Sequence, residues 1–522
     1  MLCVEPLLRA ALDLHATAVD VVRAGAGCYL RLAAHSGSAA RLLGVIPLLL
    51  TLLRLHVGDA AIVRNCTGCV VNLAVHVESK ACMVHVVPQL HQTLLRHAGD
   101  VHVARDCVGC FWALAEDASN ARRVVPVADA VLDLLHRHGR SSVEVARNCT
   151  GFFASLLTGV EGVRAVFQVT LAQSLRAVMA IYAADAVVVR AGASIIKSLA
   201  DLEGHRGSEE LLAVAPQLQA ALERFSTDLT VAQSCAGCLA SLARHAGSRV
   251  SLTSMTRVVC DALQRHAADP LVARWCSDFL WSISDQSPVP AALVDHVPLL
   301  WAVYEQHVED VIIVQACLAA LSYLSSLHPH FRAPVALASM AASLQAMLGR
   351  HASNLDVART CVGLLCNLTC PTANCPELVG TLSLMDSVLR QHAGDCAAAR
   401  YCAGCLWNLS AHPASSATRL AAFVPTLLTV MGRHSGDVDL VRYSVGLFLN
   451  VVSRCRRDML PQMLRVMEPL LAHMRLHGRA LEVVQATMAC FSALSVCAAN
   501  RAALVAVVPA SLAAMEQHAE DL

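Results

Sequence analysis

The chain has 522 residues, 56% of them apolar, 15% charged and 4% aromatic, a composition rich in Ala, Leu and Val that marks packed helix and excludes a disordered chain. Forty Lys plus Arg balance forty Asp plus Glu, so no net field draws it to nucleic acid or anionic lipid. The start, MLCVEPLLRAALDL, has early acidic residues and no leading basic region; with no secretory signal read there, the 23 cysteines are expected to be reduced thiols of a cytoplasmic or nuclear protein.

Residues 1–35 hold a helix with Pro6 in its first turn and His15 near its end, followed by a second helix around Arg23. That second helix recurs down the chain, anchored at Arg23, Arg64, Arg105, Arg147, Arg190, Gln233, Arg274, Gln315, Arg359, Arg400, Arg442 and Gln485. The 462 residues from first to last anchor fall in eleven steps of mean 42, and no step departs by more than two. A fixed period of this size predicts a repeat array, so residues 1–522 are expected to form a single domain with incomplete first and last repeats. The stretch AARYCAGCLWNLSAH at 398–412 shows the pattern best. Cys402, Cys405, Leu406 and Leu409 share one helical face, and Tyr401, Gly404 and Asn408 share another. A helix this short cannot bury its apolar side alone, so it must pack on its own copies.

Each repeat adds two further parts. A short first segment is clearest at Asn120-Ala-Arg-Arg-Val-Val and Asn500-Arg-Ala-Ala-Leu-Val. A second helix often opens at proline (Pro47, Pro88, Pro216, Pro298, Pro425, Pro509), which suits a first helical turn because the missing N–H has no intrahelical partner there. Nine residues on comes a ring: His56, His97, Phe225, His307, His434 or His518. Three residues later an Asp (Asp59, Asp100, Asp185, Asp228, Asp269, Asp310, Asp395, Asp437) is predicted to N-cap the third helix, worth ~1 kcal/mol. The uncharged run Val311–Phe331 sits in phase with the repeat and is read as a buried repeat helix, not a membrane span. Gln286–Pro290, His328–Pro334 and Cys370–Pro376 read as surface turns.

GCLWNLS at 404–410, GLLCNLT at 363–369, GCVVNLA at 68–74 and ANRAALVAVVPASLAAM at 499–515 resemble the armadillo repeat of the β-catenin and plakophilin kind. The recurring His is also similar to armadillo regions of leucine-rich-repeat kinases. The resemblance covers nearly the whole chain. It implies an all-α, right-handed superhelical solenoid of about 12 three-helix repeats, with the third helices lining a concave groove. Fold alone does not give function.

In armadillo proteins, Asn eight residues after the anchor commonly holds the backbone of an extended peptide, since one amide offers donor and acceptor. Here that column reads Asn72, Asn367, Asn408 and Asn450, and it is unbroken only from 359 to 450. With Tyr401 and Tyr443 one residue after their anchors, and Gly404 and Gly446 four after, the candidate peptide-binding set is Asn367, Tyr401, Gly404, Asn408, Tyr443, Gly446 and Asn450. Two bland alternatives stand beside it. The amides could satisfy buried groups within their own repeats, and the mid-helix glycines, each costing ~1 kcal/mol relative to Ala, could admit a neighbouring helix. Importin-α-like carriers place Trp where this chain has Gly68, Gly363, Gly404 and Gly446. An import adaptor is therefore disfavoured.

Other columns read as structural. The Cys-x-x-Cys pairs (Cys66/Cys69, Cys107/Cys110, Cys235/Cys238, Cys402/Cys405) alternate with Phe152, Ile195, Phe279, Leu364 and Leu447 in other repeats, as packing positions do. The His column admits Tyr182 and Phe225, so a packed ring is expected. The anchor cations are expected to pair locally with the Asp five residues earlier. No phosphate loop, nucleophile elbow, zincin or deaminase pattern occurs. The chain is thus predicted to be a non-enzymatic, cofactor-free adaptor for extended peptide segments of other proteins. The alternative is the regulatory arm of a longer signalling enzyme, a kinase or GTPase, since Asp521 stands where a further third helix would be capped.

Overall fold

A computed structural model of the chain describes residues 5–35, 41–76, 80–160, 168–202, 209–284, 291–327, 334–370, 375–413 and 415–518. Residues 286–290, 328–333 and 371–374 of the proline-bearing stretches, and Asp521, lie outside them. All regular structure among the described residues is helical. The chain divides into two compact units, Met1–Ile283 and Ser284–Leu522.

In the first unit the third helices are Val19–Ala33, Ala60–His76, Val101–Ala115, Val143–Gly159, Ala186–Ala200, Leu229–Ala243 and Pro270–Ser284. In the second they are Val311–Leu327, Leu355–Thr369, Cys396–Ala411, Val438–Arg454 and Leu481–Ser495. Within each unit a third helix packs on the third helix of the next repeat, burying the apolar face that a lone helix would expose. Cys402, Cys405, Leu406 and Leu409 are all fully buried, as are Cys66, Cys69, Cys107, Cys110, Cys235 and Cys238. Burial pushes the Cys69 and Cys110 thiols up to about 12, so they sit as small apolar groups and not as thiolates. The run from Val311 is a repeat helix, with Ile313, Val314, Cys317, Leu318 and Leu321 buried. Among the described residues one helical stretch, Ala498–Gln517, is long and apolar enough to cross a membrane; a short 3₁₀ turn at Val505–Val507 interrupts it.

The predicted caps are in place, and they do a second job. Asp59 Oδ1 accepts the N–H groups of Ala61 and Ile62 at 3.0 and 2.9 Å, while Oδ2 takes the guanidinium of Arg23 at 2.8 Å. Arg23 belongs to the preceding repeat. The same link joins Arg64 to Asp100 at 2.8 Å, Arg147 to Asp185 at 2.7 Å, Gln233 to Asp269 at 3.1 Å, Arg359 to Asp395 at 3.7 Å and Arg400 to Asp437 at 3.5 Å. The expected local partner five residues earlier is therefore corrected to the cap of the following repeat. Two of the exceptions follow from sequence. Ser142 and Ala480 replace the next Asp after Arg105 and Arg442, and those cations turn to Asp106 and Asp439 instead. At Asp59 the helix N–H of Ile62, together with the Arg23 guanidinium, holds the carboxyl below its ordinary value.

The His column forms a second inter-repeat link. His56 Nε2 lies 2.6 Å from Ala16 O, His97 2.8 Å from Val57 O, His138 2.6 Å from Ala98 O and His266 2.9 Å from Ser226 O. In the second unit His392 reaches Ala352 O, His434 Ala393 O and His477 Ser435 O, at 2.6, 2.9 and 2.6 Å. Each acceptor follows the ring residue of the preceding repeat. A carbonyl can only accept, so Nε2 carries the proton. His434→Phe keeps a ring that this column tolerates and deletes one such bond. It is expected to cost about 1 kcal/mol, read as a lowered urea midpoint with unchanged helicity.

Candidate functional site: the third-helix face

The glycines four residues after the anchor decide what this face looks like. A Cβ at Gly68 would stand 2.9 Å from Leu30 Cδ1 and 3.2 Å from Asp106 Oδ2. At Gly109 it would meet Val71 and Asn148, both at 3.0 Å. At Gly237 it would meet Lys197 and Trp275, at Gly363 Ser322 and Tyr401, and at Gly404 Cys366 and Tyr443. The rule is uniform. The residue seven after the preceding anchor and the residue one after the following anchor meet over the glycine between them. Side chains two repeats apart thus both rest against a backbone that has no side chain of its own. Gly151 and Gly446 show half of the rule with the largest ring. Their Cβ atoms would stand 2.5 Å from Trp112 and Trp407. Of the two expectations for these glycines, the structure supplies neighbouring-repeat side chains.

In the second unit the tiles are uncharged. Trp407, seated on Gly446, stacks on Tyr443 with ring centroids 5.5 Å apart and planes 28° apart. The guanidinium of Arg442 packs 5.0 Å from the Tyr443 ring, and that of Arg400 packs 5.8 Å from Tyr401. Tyr401, Trp407 and Tyr443 are half-buried, each with surface left for a ligand. Such rings offer contact area at low conformational cost.

Beside them run the three amides, also half-buried. Asn367 Nδ2 donates to Ser322 O at 2.9 Å, and Asn408 Nδ2 to Cys366 O at 3.3 Å. Asn450 Nδ2 donates to Ser410 Oγ at 2.8 Å, whose own proton goes to Trp407 O at 2.6 Å. These acceptors fix which way each amide faces. The bonds run to the preceding repeat, not within the same repeat as the bland alternative held. Each bond commits an amide N–H to holding the stack, so the row ties consecutive repeats together.

The candidate set Asn367, Tyr401, Gly404, Asn408, Tyr443, Gly446 and Asn450 lies on three successive third helices, with Gly404 and Gly446 as buried seats and the other five half-buried. Sequence reasoning passed over Trp407, one residue before its Asn, and the charged group around Trp275 in the first unit. It also passed over Arg454, whose guanidinium donates to the carbonyls of Ser410, His412, Pro413 and Ser415 and ties down the turn after the preceding third helix.

No protein-family model and no curated protein matches the sequence. Solved structures do. One comes from work on a conserved phosphorylation switch that controls the interaction between cadherin and β-catenin. It is 15% identical, with a TM-score of 0.76, and the match covers 94% of this chain and 98% of that one. Another, an engineered protein, is 16% identical with a TM-score of 0.57, covering 78% and 98%. At such identities the likeness speaks for the fold. The fold is that of an all-α, armadillo-type helical solenoid, as the repeat pattern implied.

Proposed function

We propose that this chain is a non-enzymatic scaffold that binds extended peptide segments of partner proteins on the third-helix face of residues 359–450. The observation that carries it is the coincidence of half-buried amides on three consecutive helices with half-buried aromatic rings on two of them. A strand-like segment would lay its backbone against the amides of Asn367, Asn408 and Asn450 and its side chains against Tyr401, Trp407 and Tyr443. The β-catenin structure supports the class of role, because the interaction with cadherin described for it is one between proteins. A cytoplasmic or nuclear setting belongs to the same proposal and rests on the many buried thiols.

The test is a peptide array of extended segments probed with the parent chain and with Asn408→Ala/Asn450→Ala. Two neutral hydrogen bonds of ~0.5–1.5 kcal/mol each predict a loss of roughly fivefold or more on the peptides the parent selects. Unchanged binding by a variant of intact helicity would reject the site.

A further inference from the structure

The first unit carries a chemically different tile. Over Gly237 meet Lys197 and Trp275, which sit two repeats apart; a Cβ there would stand 3.4 Å from both Lys197 Cδ and Trp275 Nε1. Three cations surround the one indole. Lys197 Nζ lies 4.9 Å, the Arg274 guanidinium 4.8 Å and the Arg244 guanidinium 5.7 Å from the ring centroid. Two carboxylates answer them. Lys197 pairs with Asp201 at 2.8 Å, and Arg244 bridges Asp278 at 2.8 Å and Asp201 at 3.4 Å. Arg274 makes no ion pair among the described residues. The group thus holds three positive and two negative charges, and the surplus charge lies over an aromatic ring. The Lys197 and Arg244 side chains are 29% and 45% exposed, so solvent reaches the cluster.

We propose that this face is a docking site for an extended peptide segment carrying Asp or Glu, with the incoming carboxylate seated between Arg274 and Lys197 against Trp275. The indole holds both cations in place before the ligand arrives, which lowers the ordering cost of pairing. The flanking Asp201 and Asp278 repel a dense polyanion, so an isolated carboxylate on a peptide fits where a nucleic-acid backbone does not. The site is independent of the uncharged face at 359–450.

The probe is a set of fluorescein-labelled peptides of about twelve residues, alternating Glu with Ser, Gln with Ser, or Lys with Ser. They are titrated by anisotropy against the full chain at low and high salt, since exposed charge pairing is screened within ~10 Å at 0.1 M. The Glu peptide is expected to bind at least tenfold more tightly than the Gln peptide and to lose that preference at high salt. Arg274→Gln and Trp275→Leu each remove the preference at unchanged Tm. Arg257→Gln, an equal charge loss at an exposed position on the second helix Thr256–Arg265 of the same repeat, leaves it intact. Equal binding of the Glu and Gln peptides would overturn the proposal. So would an equal loss in Arg257→Gln, which would indicate diffuse charge and not this site.

Discussion

Gly446→Ala is expected to unfold at lower urea than the parent chain, and Gly363→Ala at higher urea. Both changes replace a mid-helix glycine with a better helix former, a gain of ~1 kcal/mol in each. What differs is the seat. The new methyl at 363 would find its nearest neighbours at 3.5–3.6 Å, ordinary contact distances, so the gain survives. At 446 it would stand 2.5–2.9 Å from three indole atoms of Trp407. That ring is rigid and already stacked on Tyr443, so the helix or the ring must shift. Overpacking of this kind costs ~1–3 kcal/mol, which exceeds the propensity gain over most of that range. The two variants should separate by about 1–3 kcal/mol, and tryptophan emission should change for Gly446→Ala alone. A stabilised Gly446→Ala would mean that the indole is not seated there.

Asp185→Ala is expected to cost about 1–2 kcal/mol, and Asp185→Asn less than about 1 kcal/mol. Asp185 Oδ1 accepts the N–H groups of Val187 and Val188, both at 3.1 Å, and Oδ2 accepts Arg147 at 2.7 Å. Alanine deletes both roles; asparagine keeps an oxygen for the cap and gives up the charge. Acid dependence separates them further. Burial alone would raise the Asp185 pKa, but the Arg147 guanidinium and the two helix N–H groups override it and hold the carboxyl below its ordinary value. A carboxyl lowered in the folded state contributes stability that is fully present above its unfolded pKa of ~3.9 and is lost as pH falls through the folded value. Thermal melts from pH 7 down to pH 2 should therefore show the parent losing stability most steeply below about pH 4, with a shallower fall in Asp185→Asn. Parallel acid slopes would exclude the pairing.

The apolar period and the Asp caps were legible because one residue type suffices at each position. The core column needs only bulk and greasiness, and the cap needs only an oxygen on a short side chain. The partner of the anchor cation was not legible. Most of the capping Asp residues have an Arg on either side along the chain, and proximity in sequence favours the wrong one. In the stack Asp59, Asp100, Asp185, Asp395 and Asp437 are engaged by the Arg of the repeat before, so the pairing is displaced by one. The amide orientation was hidden for a related reason. Asn408 shows its type in sequence, but only Cys366 O shows which end is committed. The column seven after the anchor was missed because it has no shared chemistry: Leu30, Val71, Trp112, Lys197, Ser322, Cys366 and Trp407 have nothing in common except a glycine to lie on. The oddly placed glycines were the available clue.

Because each surface element is built by the outer two of three consecutive modules resting on the middle one, the surface of this chain is written in overlapping triplets. Transplanting a single 42-residue cassette would rewrite three adjacent letters at once: its own seat and one contributor to each neighbouring seat. An engineer who wants to alter one letter alone must change a residue pair more than seventy positions apart, such as Lys197 with Trp275 or Cys366 with Tyr443.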